Sequence, residues 1–559
     1  LIGGALYVKG AQILLETLKH LGIKEIFGYP GGAVLSIFEA LREDNDIKFI
    51  LPRHEQGASH AADASGRLTG IPGVCLATSG PGATNLVTGI MTAYMDSSPM
   101  IAITGQVSRS NKGKDVFQEV DIVGVTLPIT KHNYSVESIE ELPVILREAF
   151  HIATTGRPGP VLIDLPADIQ NEEMSEERFK ILLDQELDLF PSLHIPKLDM
   201  TKVEEAVELL KKSKRPLIIS GAGVIRSGAA DELYEFATKN NIPVTSSLLG
   251  LGGFPGDNKL FLGMGGVHGS IATNIIIQEA DFVLAVGTRL DNRLTCDTEG
   301  FLDQAKVVHI DIDPAENKKI IVADVFIQGD AKEALSKMSE MSTGKIEQRW
   351  LDRVEELRGK YSPTKFSEKY SLEPRRIFEI LSQKTDENAI ITTDVGQHQM
   401  WVAQYYKFRK PKTFITSGGA GAMGFGIPAA IAAKIKKPDT TVISVVGDGG
   451  FQMSVGEIIM LKQYKLPVKI FVINNSTLGM VKQLQDTFKG GKHFGVYLDV
   501  NPDFIQIAKA YGLKGVKVTN EEELVKACDE NINTEEPVII ECVLDRKKNV
   551  YQTLVHPNI

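Results

Sequence analysis

Thr441-Val-Ile-Ser-Val-Val-Gly-Asp-Gly-Gly450 runs an apolar stretch into a glycine-rich turn, and Val468-Lys-Ile-Phe-Val-Ile-Asn-Asn-Ser-Thr477 repeats the plan with paired asparagines at its end. Apolar runs this short, without strict alternation of polar residues, read as strands covered on both faces. The residues between them suffice for one helical crossover, expected to start near Phe451, so the two strands should lie parallel in one sheet. Asp448 and Asn475 are then 475 − 448 = 27 residues apart, about one strand–helix–strand unit, and fall at the same carboxyl edge. Ligands of open parallel sheets sit beyond that edge, which makes it the first candidate site.

The same pattern extends outward in both directions. Ala389-Ile-Ile-Thr-Thr-Asp and Pro537-Val-Ile-Ile-Glu-Cys complete a series that begins near Leu372. An earlier series carries Pro216-Leu-Ile-Ile-Ser-Gly, Phe282-Val-Leu-Ala-Val-Gly and Val307-Val-His-Ile-Asp-Ile-Asp-Pro, then gives way to polar helix and loop at roughly 340–370. The first contains Glu25-Ile-Phe-Gly, Phe49-Ile-Leu, Val74-Cys-Leu-Ala-Thr, Met100-Ile-Ala-Ile-Thr and Pro160-Val-Leu-Ile-Asp. It stops in a charged, proline-containing stretch, Asn171-Glu-Glu-Met through Ile195-Pro-Lys, which reads as a linker. The expected fold class is α/β, with three doubly wound parallel-sheet domains over 1–180, 190–345 and 368–559.

Composition supports this. A chain of 559 residues exceeds one hydrophobic core, and 43% hydrophobic with 24% charged residues excludes a disordered or collagen-like chain. No apolar run approaches the ~20 residues of a spanning helix, so no membrane partner is expected. The net charge of −10 argues against nucleic acid as the main partner. Cys75, Cys296, Cys528 and Cys542 are far apart and form no C-x-x-C pair, which suggests neither a disulfide framework nor a zinc site and fits a reducing, cytoplasmic setting. The chain opens on Leu1-Ile-Gly-Gly without a basic n-region, so no signal peptide is expected in the sequence as it stands.

Oxygen ligands from Asp448, Asn475 and a backbone carbonyl suit Mg²⁺, and the glycines beside Asp448 let backbone N–H groups approach an anion. The alternative is that Gly-Asp-Gly is a turn and Asn-Asn a strand terminator, since these residues dominate turns. A literal G-x-G-x-x-G from Gly419 to Gly424 lacks the acidic residue that ends the next strand of a dinucleotide fold, because Asp439 precedes a strand instead. No G-x-x-x-x-G-K-[ST] occurs. Lys48-Phe-Ile-Leu-Pro-Arg-His-Glu-Gln puts Glu55 at a strand-to-helix junction, where it could equally serve only to stabilise a helix N-terminus.

Gly447-Asp448-Gly449, followed by a helix, a strand and Asn474-Asn475, resembles the thiamine diphosphate motif of the pyruvate oxidase and decarboxylase superfamily. The resemblance implies that Asp448, Asn475 and the carbonyl of Thr477 hold Mg²⁺ on the cofactor's diphosphate. It also implies diphosphate contacts from Gly396, Gln397 and His398 and from Gly449 and Gly450, and support of the bent cofactor by Met423 of Ser417-Gly-Gly-Ala-Gly-Ala-Met-Gly-Phe-Gly. Glu55, in a match to the family's Arg-His-Glu-Gln-Gly-Ala, would bond a ring nitrogen of the aminopyrimidine and promote loss of the thiazolium C2 proton. In the family this Glu serves a cofactor held by the partner chain, so a homodimer, or a homotetramer built from it, is implied.

Phe27-Gly-Tyr-Pro-Gly-Gly-Ala, Thr78-Ser-Gly-Pro-Gly-Ala-Thr-Asn, Thr104-Gly-Gln-Val, Val116-Phe-Gln-Glu, Gly156-Arg-Pro-Gly-Pro, Asp394-Val-Gly-Gln-His-Gln-Met-Trp and Leu478-Gly-Met-Val extend the resemblance over nearly the whole chain. They are similar to the catalytic subunits of the acetolactate synthase family, also called acetohydroxyacid synthases. The implied activity is decarboxylation of pyruvate and transfer of the hydroxyethyl unit to a second 2-oxo acid, pyruvate or 2-oxobutyrate, in branched-chain amino acid biosynthesis. Gln106, Phe117, Gln118, Met480 and Leu484 match active-site positions, and Arg293 matches an arginine that orients the second substrate's carboxylate, a task suited to a guanidinium. Phe117 by itself reads equally as core packing. Arg157, Gly221, Gly223, Leu248, His268, Gly287, Arg289, Asp291, Asp311 and Ile312 fall on family contacts to FAD, which is structural and non-redox there. A small regulatory subunit is a further implied partner.

Four positions depart from the family around its substrate channel: Ser108 stands for Pro, Ala167 for Lys, Asn292 for Asp and Leu484 for Trp. Leu in place of an indole enlarges the pocket beside the second substrate. The expectation is little preference for 2-oxobutyrate over pyruvate and poor binding of sulfonylurea-type inhibitors. Alternatives are a fermentative acetolactate synthase of the acetoin pathway or an FAD-bearing pyruvate oxidase. A glyoxylate carboligase should lack the activating Glu, and a non-enzymatic regulator should have lost Glu55, Asp448 or Asn475. The sequence runs only a few residues past Val550-Tyr-Gln-Thr-Leu, and the expectation is that a closing tail is trimmed or absent.

Overall fold

A computed structural model describes residues 6–187, 197–295, 300–342, 344, 347–361 and 372–550. Cys296, the end of the expected linker and the C-terminal residues 551–559 lie outside the described residues. Three six-stranded, wholly parallel sheets carry the fold. The first runs, edge to edge, Lys48–Ile50, Glu25–Gly28, Gly73–Ala77, Met100–Gln106, Pro160–Pro166 and His132–Ser135. The third has the same order of connections: Phe414–Thr416, Ile390–Thr393, Val442–Gly447, Lys469–Asn474, Val538–Val543 and Lys514–Val518. The middle sheet runs Phe261–Met264, Val244–Ser246, Pro216–Ser220, Phe282–Val286, Lys306–Asp311 and Val325–Gln328, the 3-2-1-4-5-6 order of dinucleotide-binding folds.

The chain divides into two compact units rather than along these three sheets. One gathers the first sheet and its helices together with Ser417–Asp439 and Met453–Leu466; the other holds the middle and third sheets. In the first unit, helix Glu55–Thr69 is built almost wholly of Gly, Ala and Ser on its buried faces and packs against the equally small-sided helix Gly426–Lys436. The same helix also runs close to the chain before strand Met100–Gln106, where a Cβ on Gly66 would stand 2.1 Å from the Pro99 carbonyl oxygen.

Two expectations change. The stretch read as a linker contains strand Glu173–Ser175, paired antiparallel with Tyr7–Lys9, and helix Glu176–Asp184, capped by the Ser175 hydroxyl. Its charges lie on the exposed side of a helix that buries Phe179 and Leu182, so charge density alone did not mark irregular chain. The helix after Val442–Gly447 spans Asp448–Met453 and so begins three residues before Phe451.

Candidate active site

In the third sheet the strands ending at Thr393 and Gly447 are neighbours whose crossovers leave in opposite directions, the switch point at which such sheets bind ligands. Asp394–His398 and Gly447–Gly450 extend from these two ends. Gly447 pairs in register with Ile473, so Asp448 and Asn475 emerge side by side, as the spacing required. Asp448 is buried, and burial pushes its carboxyl up to about 6. Asn501 Nδ2 donates to its Oδ2 at 2.8 Å, and the amides of Gly449 and Ser476 also point at the carboxylate.

The second loop is held as tightly. Asn475 Nδ2 donates to Gln397 Oε1 at 3.1 Å, which turns the Asn475 Oδ1 the other way. Ser476 takes a left-handed φ of +51°, stabilised by Asn474 Oδ1 accepting its amide at 3.0 Å. Leu478 N donates to Val496 O at 2.7 Å and Leu498 N to Ser476 O at 3.0 Å, so the backbone around Thr477 is clamped from both sides. Gln397 Nε2 donates to Gln483 Oε1 at 3.2 Å. His398 is buried, its imidazole held down to about 4 by burial, and its Nε2 has no hydrogen-bond partner. Its ring packs where a Cβ on Gly447 would stand, 3.0 Å from Nδ1. A cluster of one buried carboxylate, one oriented amide oxygen and an orphaned imidazole nitrogen fits a hard divalent cation with an anionic group beside it.

The first unit assembles a different set. Glu55 opens helix Glu55–Thr69, and Asn85 Nδ2 donates to its Oε2 at 3.0 Å. A Cβ on Gly82 would stand 3.3 Å from Glu55 Oε1, and one on Gly80 would stand 2.9 Å from Gln118 O, so the Thr78–Asn85 loop lies between Glu55 and Gln118. Gln118 is left-handed (φ +61°) and its neighbour Phe117 is 87% exposed. Gln106 is not at the surface: its Nε2 donates to Val120 O and Asp164 Oδ2, both at 2.9 Å, and its Oε1 accepts from Val107 N. It anchors the loop that carries Phe117 and Gln118.

Gly424, next to Met423, lies near the same helix start, 3.8 Å from Gln56 Nε2 measured from an ideal Cβ. Asp96 accepts from the amides of Gly418 and Gly419 and from Arg67, which also pairs with Asp63, so this glycine loop hangs from a buried ion network. The family resemblance gives Glu55 to a partner's cofactor; in this structure its helix start lies beside the chain's own Gly424.

In the middle sheet Gly221 and Gly287 end the two strands that flank the switch point, and a Cβ on Gly221 would stand 2.1 Å from Gly287 O. A Cβ on Gly223 would stand 2.5 Å from Gly287 Cα. Leu248, His268, Arg289, Asp291, Asp311 and Ile312 all follow carboxyl ends of strands in this sheet. Ser220 Oγ and Ser246 Oγ at that edge are buried without partners. Arg289 pairs with Asp291 at 3.2 Å. This cradle fits a dinucleotide, although strand Val244–Ser246 ends on Ser rather than an acidic residue. Arg157 lies in the first unit, donating to Ser97 Oγ at 2.8 Å. Arg293 is exposed on the turn Asn292–Thr295, and Met480 and Leu484 sit on helix Gly479–Phe488.

Comparison with known proteins places these features. The N-terminal TPP binding domain of the thiamine pyrophosphate enzymes matches residues 8–125, their central domain residues 203–338, and their C-terminal TPP binding domain residues 394–542. The chain is a thiamine diphosphate enzyme with the three domains of that class.

Over its length the chain is 45% identical to the probable acetolactate synthase large subunit of Methanocaldococcus jannaschii, covering 96% of this chain and 92% of that protein. It is 44% identical to the acetolactate synthase large subunit of Lactococcus lactis, with 97% and 93% covered. With acetolactate synthase isozyme 3 large subunit of Escherichia coli it shares 39%, with 97% and 96% covered. The chain belongs to the acetolactate synthase large-subunit family.

Sequence reasoning missed Asn501, Gln483 and Asn85 as partners of the candidate residues. None of them was read as part of the site, and only the folded chain brings Asn501 and Gln483 to it. Among the described residues no helix is long and apolar enough to cross a membrane.

Proposed function

We propose that this chain decarboxylates pyruvate and transfers the resulting hydroxyethyl unit to a second 2-oxo acid, forming 2-acetolactate from pyruvate or 2-aceto-2-hydroxybutyrate from 2-oxobutyrate, in the cytoplasm. Thiamine diphosphate, when bound, supplies the carbanion chemistry. The observation that carries the reading is the cluster at the third sheet's switch point: buried Asp448, Asn475 oriented by Gln397, and His398 with an unpaired Nε2. Asp448, Asn475 Oδ1 and Thr477 O are the residues that would hold Mg²⁺, with Gly396, Gln397, His398, Gly449 and Gly450 around the diphosphate. Glu55 would hydrogen-bond a ring nitrogen of the aminopyrimidine and so promote loss of the thiazolium C2 proton, Met423 would support the ring, and Gln106, Phe117, Gln118, Arg293, Met480 and Leu484 would shape the substrate channel.

FAD occupies the middle domain as a structural group, a reading supported by the glycine cradle of Gly221, Gly223 and Gly287. That the relatives are large subunits supports a small regulatory partner, and the family resemblance supports a homodimer or homotetramer. The deciding assay is acetolactate formation from pyruvate with thiamine diphosphate and Mg²⁺ present or withheld and oxygen monitored. Cofactor-dependent acetolactate without oxygen uptake is expected. Peroxide with acetate or acetyl phosphate would instead make the chain an oxidase.

A further inference from the structure

Glu457 is 3% exposed on a single turn, Val455–Ile458, in the same compact unit as Glu55. Its carboxylate oxygens accept the Arg53 amide at 3.0 and 3.1 Å, and the His54 amide also points at it. It lies against the bare Cα of Gly57, where a Cβ would come within 2.5 Å of Oε1. One buried acid thus touches residues 53, 54 and 57, on both sides of Glu55.

We infer that Glu457 is a positioning residue for Glu55, fixing the Arg53–Gly57 backbone so that the Glu55 carboxylate stays aimed along the line set by Asn85. The inference rests on the reading of Glu55 as the activating carboxylate. Helix formation does not require this contact. His54 already caps the helix, its Nδ1 accepting the Gln56 amide at 3.0 Å, and the amides of Arg53 and His54 lie ahead of the first helical residue. The Arg53 charge adds only a small pull on the Glu457 carboxyl, and its guanidinium donates elsewhere, to Leu51 O at 2.9 Å and to Gln463. Burial drives the Glu457 carboxyl up to about 7, and a packed apolar side chain would avoid that cost. What the carboxylate adds is two directional hydrogen bonds at the one junction where a small displacement of the following residue matters to proton transfer.

The test compares Glu457→Ala, Glu457→Gln and, as reference, Glu55→Gln in the full-length chain. Amide hydrogen exchange in the cofactor-free protein should be faster at Arg53 and His54 in Glu457→Ala, with the rest of helix Glu55–Thr69 protected as in the parent. In the loaded enzyme kcat should fall roughly 10- to 100-fold while KM for pyruvate and Kd for thiamine diphosphate stay within about threefold, because Glu457 acts through the Arg53–Gly57 backbone. Should Glu457→Ala fail to fold, the isosteric Glu457→Gln carries the test through the same split of kcat from KM. Parent-like exchange, or parent-like kcat beside an inactive Glu55→Gln, overturns the inference alone. A fully active Glu55→Gln overturns the reading of Glu55 and this inference with it.

Discussion

Asn501 Nδ2 donates to Asp448 Oδ2 at 2.8 Å across 53 residues of sequence. The contact ties one carboxylate oxygen down, beside the amides of Gly449 and Ser476 that also point at this carboxylate. A hydrogen bond to a charged group contributes about 1.5–3 kcal/mol. Asn501→Ala should therefore weaken Mg²⁺-dependent binding of thiamine diphosphate by roughly 10- to 100-fold, with kcat at saturating cofactor near that of the parent. Titration calorimetry at fixed Mg²⁺ measures this. Asp448→Asn should be worse, since it removes a ligand charge, and an Asn501→Ala protein that binds like the parent rules out the orienting role.

Gly221 meets the carbonyl oxygen of Gly287 at 2.1 Å from an ideal Cβ, and the obstacle is backbone, which cannot swing aside. Gly221→Ala must push the two strand ends apart at the middle sheet's switch point. Overpacking of this kind costs about 1–3 kcal/mol. The expected result is a lower melting temperature together with loss of FAD from the purified protein, read by absorbance after desalting. Full FAD retention with a lowered melting temperature would place the flavin elsewhere.

What the sequence disclosed follows from burial. Pro216–Ser220, Phe282–Val286, Val442–Gly447 and Lys469–Asn474 are interior strands, and their apolar runs announced them. His132–Ser135 and Lys514–Val518 are edge strands that read His-Asn-Tyr-Ser and Lys-Gly-Val-Lys-Val, polar because one side meets solvent, and no apolar run marked them. Asp448 and Asn475 were legible because both follow buried strands at one crossover's spacing. The decoy G-x-G-x-x-G of Gly419–Gly424 follows Phe414–Thr416, an edge strand paired on one side only, with Ile390–Thr393, and so away from the switch point. Gln106, which the family resemblance puts at the channel wall, makes hydrogen bonds to Asp164 and Val120 that depend on strand pairing no local pattern records.

Asp164 gives the first domain a pH signature. It is buried, accepts from Thr104 Oγ1 at 2.8 Å and Gln106 Nε2 at 2.9 Å, and burial raises its carboxyl to about 6 from 3.8. The folded state therefore binds the proton more tightly than the unfolded chain. Its contribution to stability is full below the unfolded value and is lost as pH rises through about 6. The difference is on the order of 3 kcal/mol. Asp164→Asn should melt with a flatter dependence between pH 4 and 7, so that the parent loses stability relative to the variant as pH rises. Parallel curves would show that Asp164 keeps an ordinary carboxyl.

Leu484 stands on helix Gly479–Phe488, 38% exposed, flanked by the exposed Val481 and Phe488. On the function proposed above, this side chain would leave room beside the second substrate where the family carries an indole, and one methylene in an apolar pocket is worth only about 1–3 kcal/mol. Without the indole, 2-oxobutyrate should gain little over pyruvate, and a flat aromatic inhibitor should lose its stacking face. Leu484→Trp should raise the ratio of 2-aceto-2-hydroxybutyrate to 2-acetolactate by roughly 5- to 100-fold when both acceptors compete, and should tighten binding of a sulfonylurea probe in parallel. Helix Gly479–Phe488 also carries Gln483, whose Oε1 accepts from Gln397 and from the amide of Val550. A change at 484 that disturbed that hub would weaken cofactor binding, so the Kd for thiamine diphosphate must be measured beside the product ratio. A shifted ratio at constant Kd assigns acceptor choice to residue 484. An unchanged ratio would move that choice to Ser108, Ala167 or Asn292, the other three departures from the family pattern.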